Sequence, residues 1–461
     1  MRRYKTFVEA TSMVKPLVCC IALIVGADAS WATDIETADA AHKRPNILFL
    51  LADDLGWADV GFHDSDKSTP NIDRLAATGV RIEQHYVWPT CSPTRVAFLT
   101  GREPSRSGVY APLGDVGIPA TTMTLPTALR NNGYATHICG KWHLGAPPDY
   151  RPLLFGFDSS YGYFRGQIDP YTHLYKTGER TWHRNDKLLD EPGHATDLIA
   201  QEAVRIINSA QDKPFFLYVA FSVPHYPLAE PDEWSEKVEN RISERWQKLN
   251  AASVAHMDDA VGRIVSALEQ TGLRDNTLIV FASDNGGQKS WTADSQQYGG
   301  RYEPHLTLGD NRPLRGWKTQ LYEGGIRIPC CANWPGHLPA GEIVDSPTCI
   351  FDWMPTFCHL AGANVDADWK LSGQDLWPVI ANAQEPPVRT LTWRSPSQSA
   401  IRHGDWKLIA YQAQPVELFD IANDPNETQN VADSHPQRVA ELTALLENQR
   451  KFDTPRIDSL K

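Results

Sequence analysis

Two apolar runs more than two hundred residues apart end in the same way, and this constrains the fold more than any other feature of the chain. Pro45-Asn46-Ile47-Leu48-Phe49-Leu50-Leu51-Ala52 runs into Asp53-Asp54-Leu55-Gly56, and Asn276-Thr277-Leu278-Ile279-Val280-Phe281-Ala282-Ser283 runs into Asp284-Asn285-Gly286-Gly287. A short continuous apolar run closed by a carboxylate and glycine reads as a strand buried on both faces, as in a parallel sheet. In open α/β sheets, ligands bind just beyond the carboxyl ends of such strands. Asp53, Asp54, Asp284 and Asn285 would there offer oxygen ligands, a donor set that suits Ca²⁺ or Mg²⁺. An isolated Asp-Asp is more often a cap or a turn. Its repetition at a second strand end turns the reading towards a metal.

Three more segments carry chemistry. Cys91-Ser92-Pro93-Thr94-Arg95 is followed by Leu99-Thr100-Gly101-Arg102. Gly140-Lys141-Trp142-His143-Leu144-Gly145 follows a β-like stretch, Tyr134 to Cys139, and places Lys141 and His143 on one side of an extended segment. His225 lies in Ser222-Val223-Pro224-His225, and Lys318 follows Arg315-Gly316-Trp317 ahead of Glu323-Gly324-Gly325. Singly, a cysteine is more often a core thiol, and a lone lysine or histidine is solvated or structural.

In this order the segments resemble the type I sulfatases of the alkaline phosphatase superfamily, from about Arg44 to the C-terminus. In that family the cysteine of C-x-P-x-R is oxidised to formylglycine before folding is complete. Asp54 to His63, Tyr161-Gly162-Tyr163 and Asp284 to Gln288 are similar to the arylsulfatase B group, the N-acetylgalactosamine 4-sulfatases. The resemblance implies an α/β fold, with a large mixed, mostly parallel sheet sandwiched by helices. A small C-terminal α+β subdomain with an antiparallel sheet would complete it. The catalytic part would span 44–385 and the subdomain 386–461.

The resemblance also implies the roles. Cys91, as formylglycine, is nucleophile and metal ligand, and Asp53, Asp54, Asp284 and Asn285 bind the cation, Ca²⁺ ahead of Mg²⁺. Arg95 holds the formylglycine hydroxyl. Lys141 and Lys318 grip sulfate oxygens, His143 pairs with the diol, and His225 faces the leaving group. A hydrated aldehyde attacks sulfur with one hydroxyl and, from the resulting sulfated hemiacetal, expels sulfate with the other. A serine would stall as a stable sulfate ester. Asp169, His173 and His305 are candidates for binding sugar hydroxyls, with Trp317 as a stacking platform. Their segments, 166–173 and 291–311, are expected at the mouth of the pocket.

The function implied is hydrolysis of sulfate monoesters of a sulfated saccharide, with the N-acetylgalactosamine 4-sulfate of glycosaminoglycans as the candidate substrate. The partner in maturation is a formylglycine-generating enzyme. The alternatives are a phosphate or phosphonate monoester hydrolase of the same superfamily, and a silent glycan-binding protein whose Cys91 stays unmatured.

Composition agrees with an ordinary globular enzyme, hydrophobic residues making up 41% and charged residues 22% of 461. A formal charge of -12 excludes a nucleic-acid footprint and requires any attraction for anions to come from a local basic pocket. Arg2, Arg3, Lys5 and Lys15, the apolar run 16–26 and Ser30-Trp31-Ala32 predict a cleaved signal over 1–32 and an exported product, periplasmic or extracellular. Lipoprotein anchoring at Cys19 or Cys20 fits less well, and no later segment has transmembrane length. Of the remaining cysteines, Cys349 and Cys358 are the pair expected to close if one does, the others being buried thiols.

Alternating strand-like and helix-like stretches favour a doubly wound sheet. Helices are expected over 196–209 and 251–272, leading to strands 214–221 and 277–283. Short antiparallel strands are expected at 390–393, 399–402 and 406–411, with a closing helix over 436–451.

Overall fold

The strand Asn46–Ala52 is wholly buried, and its alternate residues feed two separate cores. Ile47, Phe49 and Leu51 face one layer, which contains the helices Cys91–Thr100, Leu125–Asn131 and Trp353–Ala361. Leu48, Leu50 and Ala52 face the other, built on Pro70–Ala77, Ala195–Asn208 and Arg245–Gln270. The period-2 alternation of a strand with no polar face thus demands helices on both sides of the sheet. The computed structural model describes residues 44–459 apart from 211, 239–241, 243, 293–295 and 307, so the predicted signal segment and Cys19-Cys20 lie outside the described residues.

The central sheet has ten strands. Five at its centre run parallel in the order Thr277–Ser283, Asn46–Ala52, Phe215–Ala220, Ala135–Lys141, Ser159–Tyr163. Antiparallel strands flank them on both sides, Cys331–Asn333 on one and Trp182–Arg184 on the other. Ala52 pairs with Ser283, and Ala220 pairs with both Leu51 and Gly140. This register brings Asp53, Asp284 and Lys141 to one level at the carboxyl edge, the mixed, mostly parallel α/β architecture that the sequence predicts.

The C-terminal sheet is an antiparallel meander of four strands, Thr390–Arg394, Gln398–His403, Trp406–Tyr411 and Glu417–Asp420. Ile401, Leu408 and Leu418 pack under Leu442 and Leu446 of the closing helix Pro436–Arg450, while Ala400, Ile409 and Phe419 join the larger core. One long helix differs from expectation: it begins at Arg245, six residues before the apolar periodicity starts. The Glu244 side chain caps it by accepting from Gln247 N–H. The Cys349–Cys358 bridge is also corrected. Among the described residues all six cysteines are free and buried, packed as small hydrophobes in the core. Among the described residues, no helix is long and apolar enough to cross a membrane.

A buried charge cluster ties the helices Ala195–Asn208 and Arg245–Gln270 together. His256 Nδ1 lies 2.6 Å from Glu230 Oε2, and its Nε2 lies 3.2 Å from Asp197 Oδ1. Burial lowers the basicity of His256, but these two carboxylates outweigh it and raise the group to about 9. Because the folded value lies above the unfolded one, the stabilisation is complete below about pH 6.5 and is lost as pH rises through 9. His256→Gln should therefore destabilise the protein by about 3 kcal/mol at pH 6, with the deficit shrinking towards pH 9.5 in urea unfolding. A deficit independent of pH would reject the charged-imidazole account.

Candidate active site

The carboxyl edge of the sheet gathers side chains from six separate segments. Ligand atoms of Asp53, Asp54, Cys91 and His225 all lie within 4.8 Å of one another, and all four residues are buried. Cys91 opens its helix at the N-terminus, 2% exposed, on the floor of a cleft of about 690 Å³ that His143, His225 and Lys318 also line. Lys141 is the last residue of its strand, set there by Gly140 at φ 107°. A Cβ at Gly140 would sit 1.8 Å from Ala220 O, so only glycine allows the pairing. Asp54 and His143 adopt positive φ values of 69° and 58°. Such conformations cost about 1–3 kcal/mol each and cluster at functional sites.

The charges interlock. Lys141 Nζ donates to Asp53 Oδ2 at 2.6 Å, and Lys318 Nζ donates to Asp54 at 2.7 Å. Arg95 donates twice to Asp284 Oδ2, at 2.8 and 3.1 Å, and once to Lys141 O at 2.9 Å. The other Asp284 oxygen accepts from Asp54 N–H at 3.2 Å, and Asn285 Nδ2 donates to Asp54 Oδ1 at 2.8 Å. Three carboxylates thus face three cations. A divalent cation would leave the floor net positive, which is what a sulfate monoester anion requires.

The residues fit such a cation. Asp53 Oδ1 and Asn285 Oδ1 are buried without a hydrogen-bond partner, an arrangement that is costly unless something positive occupies the space. Burial pushes the Asp53 carboxyl up to about 8 despite Lys141, the neighbouring Asp284 and Asp54 charges adding to the effect. Burial opposes ionisation of Asp54 as well, but Lys318, followed by His225 and Lys141, brings it down to about 2. The Cys91 thiol is pushed up to about 11 by burial, against the pull of Lys141 and Lys318. As encoded it is a neutral thiol, 2% exposed at the base of the cleft.

The two histidines are held firmly. His225 Nδ1 donates to Tyr226 O at 2.6 Å, leaving Nε2 as an acceptor 3.8 Å from Asp54 Oδ2. Burial first, then Lys318, keeps His225 well below the usual imidazole range, and burial with Lys141 does the same to His143. The His143 ring packs directly on Gly166, where a Cβ would sit 2.4 Å from Nε2, and its Nδ1 has no partner.

Asp169, His173 and His305 are corrected: none lines the cleft. Asp169 accepts from Tyr171 N–H, Thr172 N–H, Arg301 and Tyr302, and so is spent on fixing its own loop. His173 stacks on Trp182 and faces Gly193 O, while His305 stacks on Trp246 and faces Glu303 O. Trp291 is buried against Tyr226, so the segment that starts there closes an aromatic cluster. Gly166, Gln167 and Trp317 do line the cleft as expected. The residues missed in sequence are Tyr218, whose hydroxyl accepts from Arg95 at 3.3 Å, and Asn311. Asn311 bonds both Gly287 N–H and Gly287 O, and also Gly316 O, tying the Asn285 turn to the Lys318 loop. Neither sits in a recognisable pattern, so no local signal marks it.

Compared with known proteins, residues 45–363 match the family described as Sulfatase, and residues 315–452 match the family described as N-sulphoglucosamine sulphohydrolase, C-terminal. Arylsulfatase J of Mus musculus is 30% identical over 91% of this chain and 78% of its own. N-acetylgalactosamine-6-sulfatase of Mus musculus is 32% identical over 80% of this chain and 72% of its own. The crystal structure of Ps i-CgsB in complex with k-i-k-neocarrahexaose shares 33% identity at a TM-score of 0.82, covering 90% of this chain and 94% of that one. The sugar-specific relative carries the 6-sulfate in its name, where the sequence pointed to a 4-sulfate.

Proposed function

Because the chain belongs to the sulfatase family of the alkaline phosphatase superfamily and is a sulfuric ester hydrolase, we propose that it removes sulfate from a sulfated glycan using formylglycine at position 91. Ca²⁺, ahead of Mg²⁺, would be held by Asp53, Asp54, Asp284 and Asn285. Export is the expectation that residues 1–32 carry. The observation that most supports this reading is the convergence of Asp53, Asp54, Cys91 and His225 within 4.8 Å, with two orphaned oxygens beside them.

A divalent cation there supplies Lewis-acid charge on sulfate oxygens, and the hydrated aldehyde of formylglycine supplies the nucleophilic oxygen. The chain's own residues do the rest. Lys141 and Lys318, whose ammonium groups lie 2.6 and 2.7 Å from Asp53 and Asp54, would offset the repulsion that an anion meets from an incoming nucleophile. Arg95, locked by Asp284 and the Lys141 carbonyl, holds the oxygen at position 91. His225 is neutral in the free site. An anion in the cleft raises its basicity, and a proton on Nε2 then passes to the leaving-group oxygen. His143, whose Nδ1 is buried without a partner, would accept the proton that remains at position 91.

The similarity to N-acetylgalactosamine-6-sulfatase puts the 6-sulfate of N-acetylgalactosamine ahead of the 4-sulfate as first substrate. The test uses protein co-expressed with a formylglycine-generating enzyme and measures sulfate release from both sugars. Release from the 6-sulfate is expected, falling at least about 100-fold after exhaustive chelation and returning with Ca²⁺. Release from the 4-sulfate alone would reverse the position, and turnover indifferent to chelation would remove the metal from the mechanism.

A further inference from the structure

The cleft wall is charged opposite to the chain that forms it. Among the described residues lining it there are three lysines, Lys176, Lys289 and Lys318, and no Asp or Glu, although the whole chain carries 56 acidic against 44 basic residues. Lys318 belongs to the catalytic floor and is matched by Asp54. The other two have no catalytic partner. Lys176 lies 5.5 Å over the ring of its neighbour Tyr175, and among the described residues neither Lys176 nor Lys289 forms an ion pair with a carboxylate.

Both lysines stand on braced backbone. Lys176 O accepts from Tyr298 N–H at 2.9 Å. Lys289 sits between Gln288, whose Nε2 donates to Ser290 O at 2.7 Å and whose O accepts from Gly309 N–H at 3.0 Å, and the Ser290–Leu306 pairing. Trp317, half-buried and next to Lys318, lines the same cleft, and its ring has no aromatic partner among the described residues. Its backbone N–H is fixed by Gln320 Oε1 at 3.0 Å. An apolar ring lining the same cleft as two ammonium groups without a carboxylate partner among the described residues suits a sugar ring that carries negative charge at a second position.

We propose that Lys176 and Lys289, with Trp317 as platform, form a subsite for a second anionic group on the saccharide. That group is a sulfate ester or a uronate carboxylate, distinct from the sulfate that is cleaved. This rests on the sulfatase reading and deepens it: the substrate is a multiply anionic glycan segment. The two lysines also answer the long-range problem of a chain with net charge -12 approaching a polyanion, since a local basic wall is what draws the ligand in.

The test measures kcat/KM for matured wild-type enzyme and for Lys176→Gln, Lys289→Gln and the double variant. Four substrates are used: 4-nitrophenyl sulfate, N-acetylgalactosamine 6-sulfate, its 4,6-disulfate, and a uronate-linked disaccharide of the 6-sulfate. The double variant is expected to lose about tenfold, mainly in KM, on the disulfate, the uronate disaccharide or both, with the loss shrinking as salt rises. It should stay within about twofold of wild type on the aryl sulfate and the monosulfated sugar, where no second anion is present. The substrate that suffers identifies the second group as sulfate or carboxylate. Equal losses on all four substrates, or none on the doubly anionic pair, would overturn the subsite while leaving the sulfatase reading intact. Failure of the matured wild type to hydrolyse any of the four would overturn that reading and the subsite with it.

Discussion

Cys91→Ala abolishes sulfate release and leaves the fold in place. Position 91 is the first residue of the Cys91–Thr100 helix and lies against the cleft floor, so exchanging a thiol for a methyl removes little packing. The expected loss of stability is about 1 kcal/mol or less. The loss of rate is of another order, because removing a nucleophile typically costs about 10⁴- to 10⁶-fold. Unmatured wild-type protein should be as silent as the variant: burial holds the encoded thiol at about 11, so almost no thiolate exists at neutral pH. The measurement is sulfate release by matured wild type, unmatured wild type and Cys91→Ala, beside their unfolding curves. Residual activity in Cys91→Ala above a hundredth of the matured rate would mean that another group attacks sulfur.

Lys407→Met is expected to produce the largest loss of stability. Lys407, fully buried, places Nζ 2.8 Å from both Glu323 Oε1 and Glu427 Oε1. Glu323 also accepts from Tyr86 O–H at 2.6 Å, and Glu427 accepts from Glu323 N–H at 2.6 Å. Burial has already raised Glu427 to about 7 against the attraction of Lys407. Arg327, 3.9 Å from Glu323 Oε2, still attracts that carboxylate, but removing the ammonium that lies between both carboxylates leaves buried charge without its closest partner, which typically costs about 3–5 kcal/mol.

The same change should reach the active site. Glu323 opens the short helix Glu323–Ile326, and Gly324 N–H donates to Arg315 O at 2.7 Å at the base of the loop that carries Lys318. A rise in KM is therefore expected alongside the lower urea midpoint. Lys407→Met/Glu427→Gln should recover part of the stability because one buried charge goes with its partner. A loss below 1 kcal/mol for the single variant would show that the network contributes no net stability.

The metal side of the site was readable because its rule is local. A fully apolar run predicts a strand covered on both faces, a carboxylate at its end predicts a ligand at the sheet edge, and the observed register puts Ala52 beside Ser283. The C-terminal strands announced themselves by short β-like runs. That Glu427 reaches across to the backbone of Glu323, 104 residues away, was in no pattern.

Residue type and spacing along the chain determined the strands, the pairing of two strand ends and the list of reactive groups. The tertiary structure alone decided which polar side chains face the ligand. Asp169 and Lys289 both lie in loops near the cleft, yet Asp169 is consumed by Arg301, 132 residues away, while Lys289 lines the cleft wall with no carboxylate partner among the described residues. Periodicity and motif spacing report on a residue's own segment. Whether its hydrogen bonds are already satisfied depends on groups that only the folded chain brings within about 3 Å.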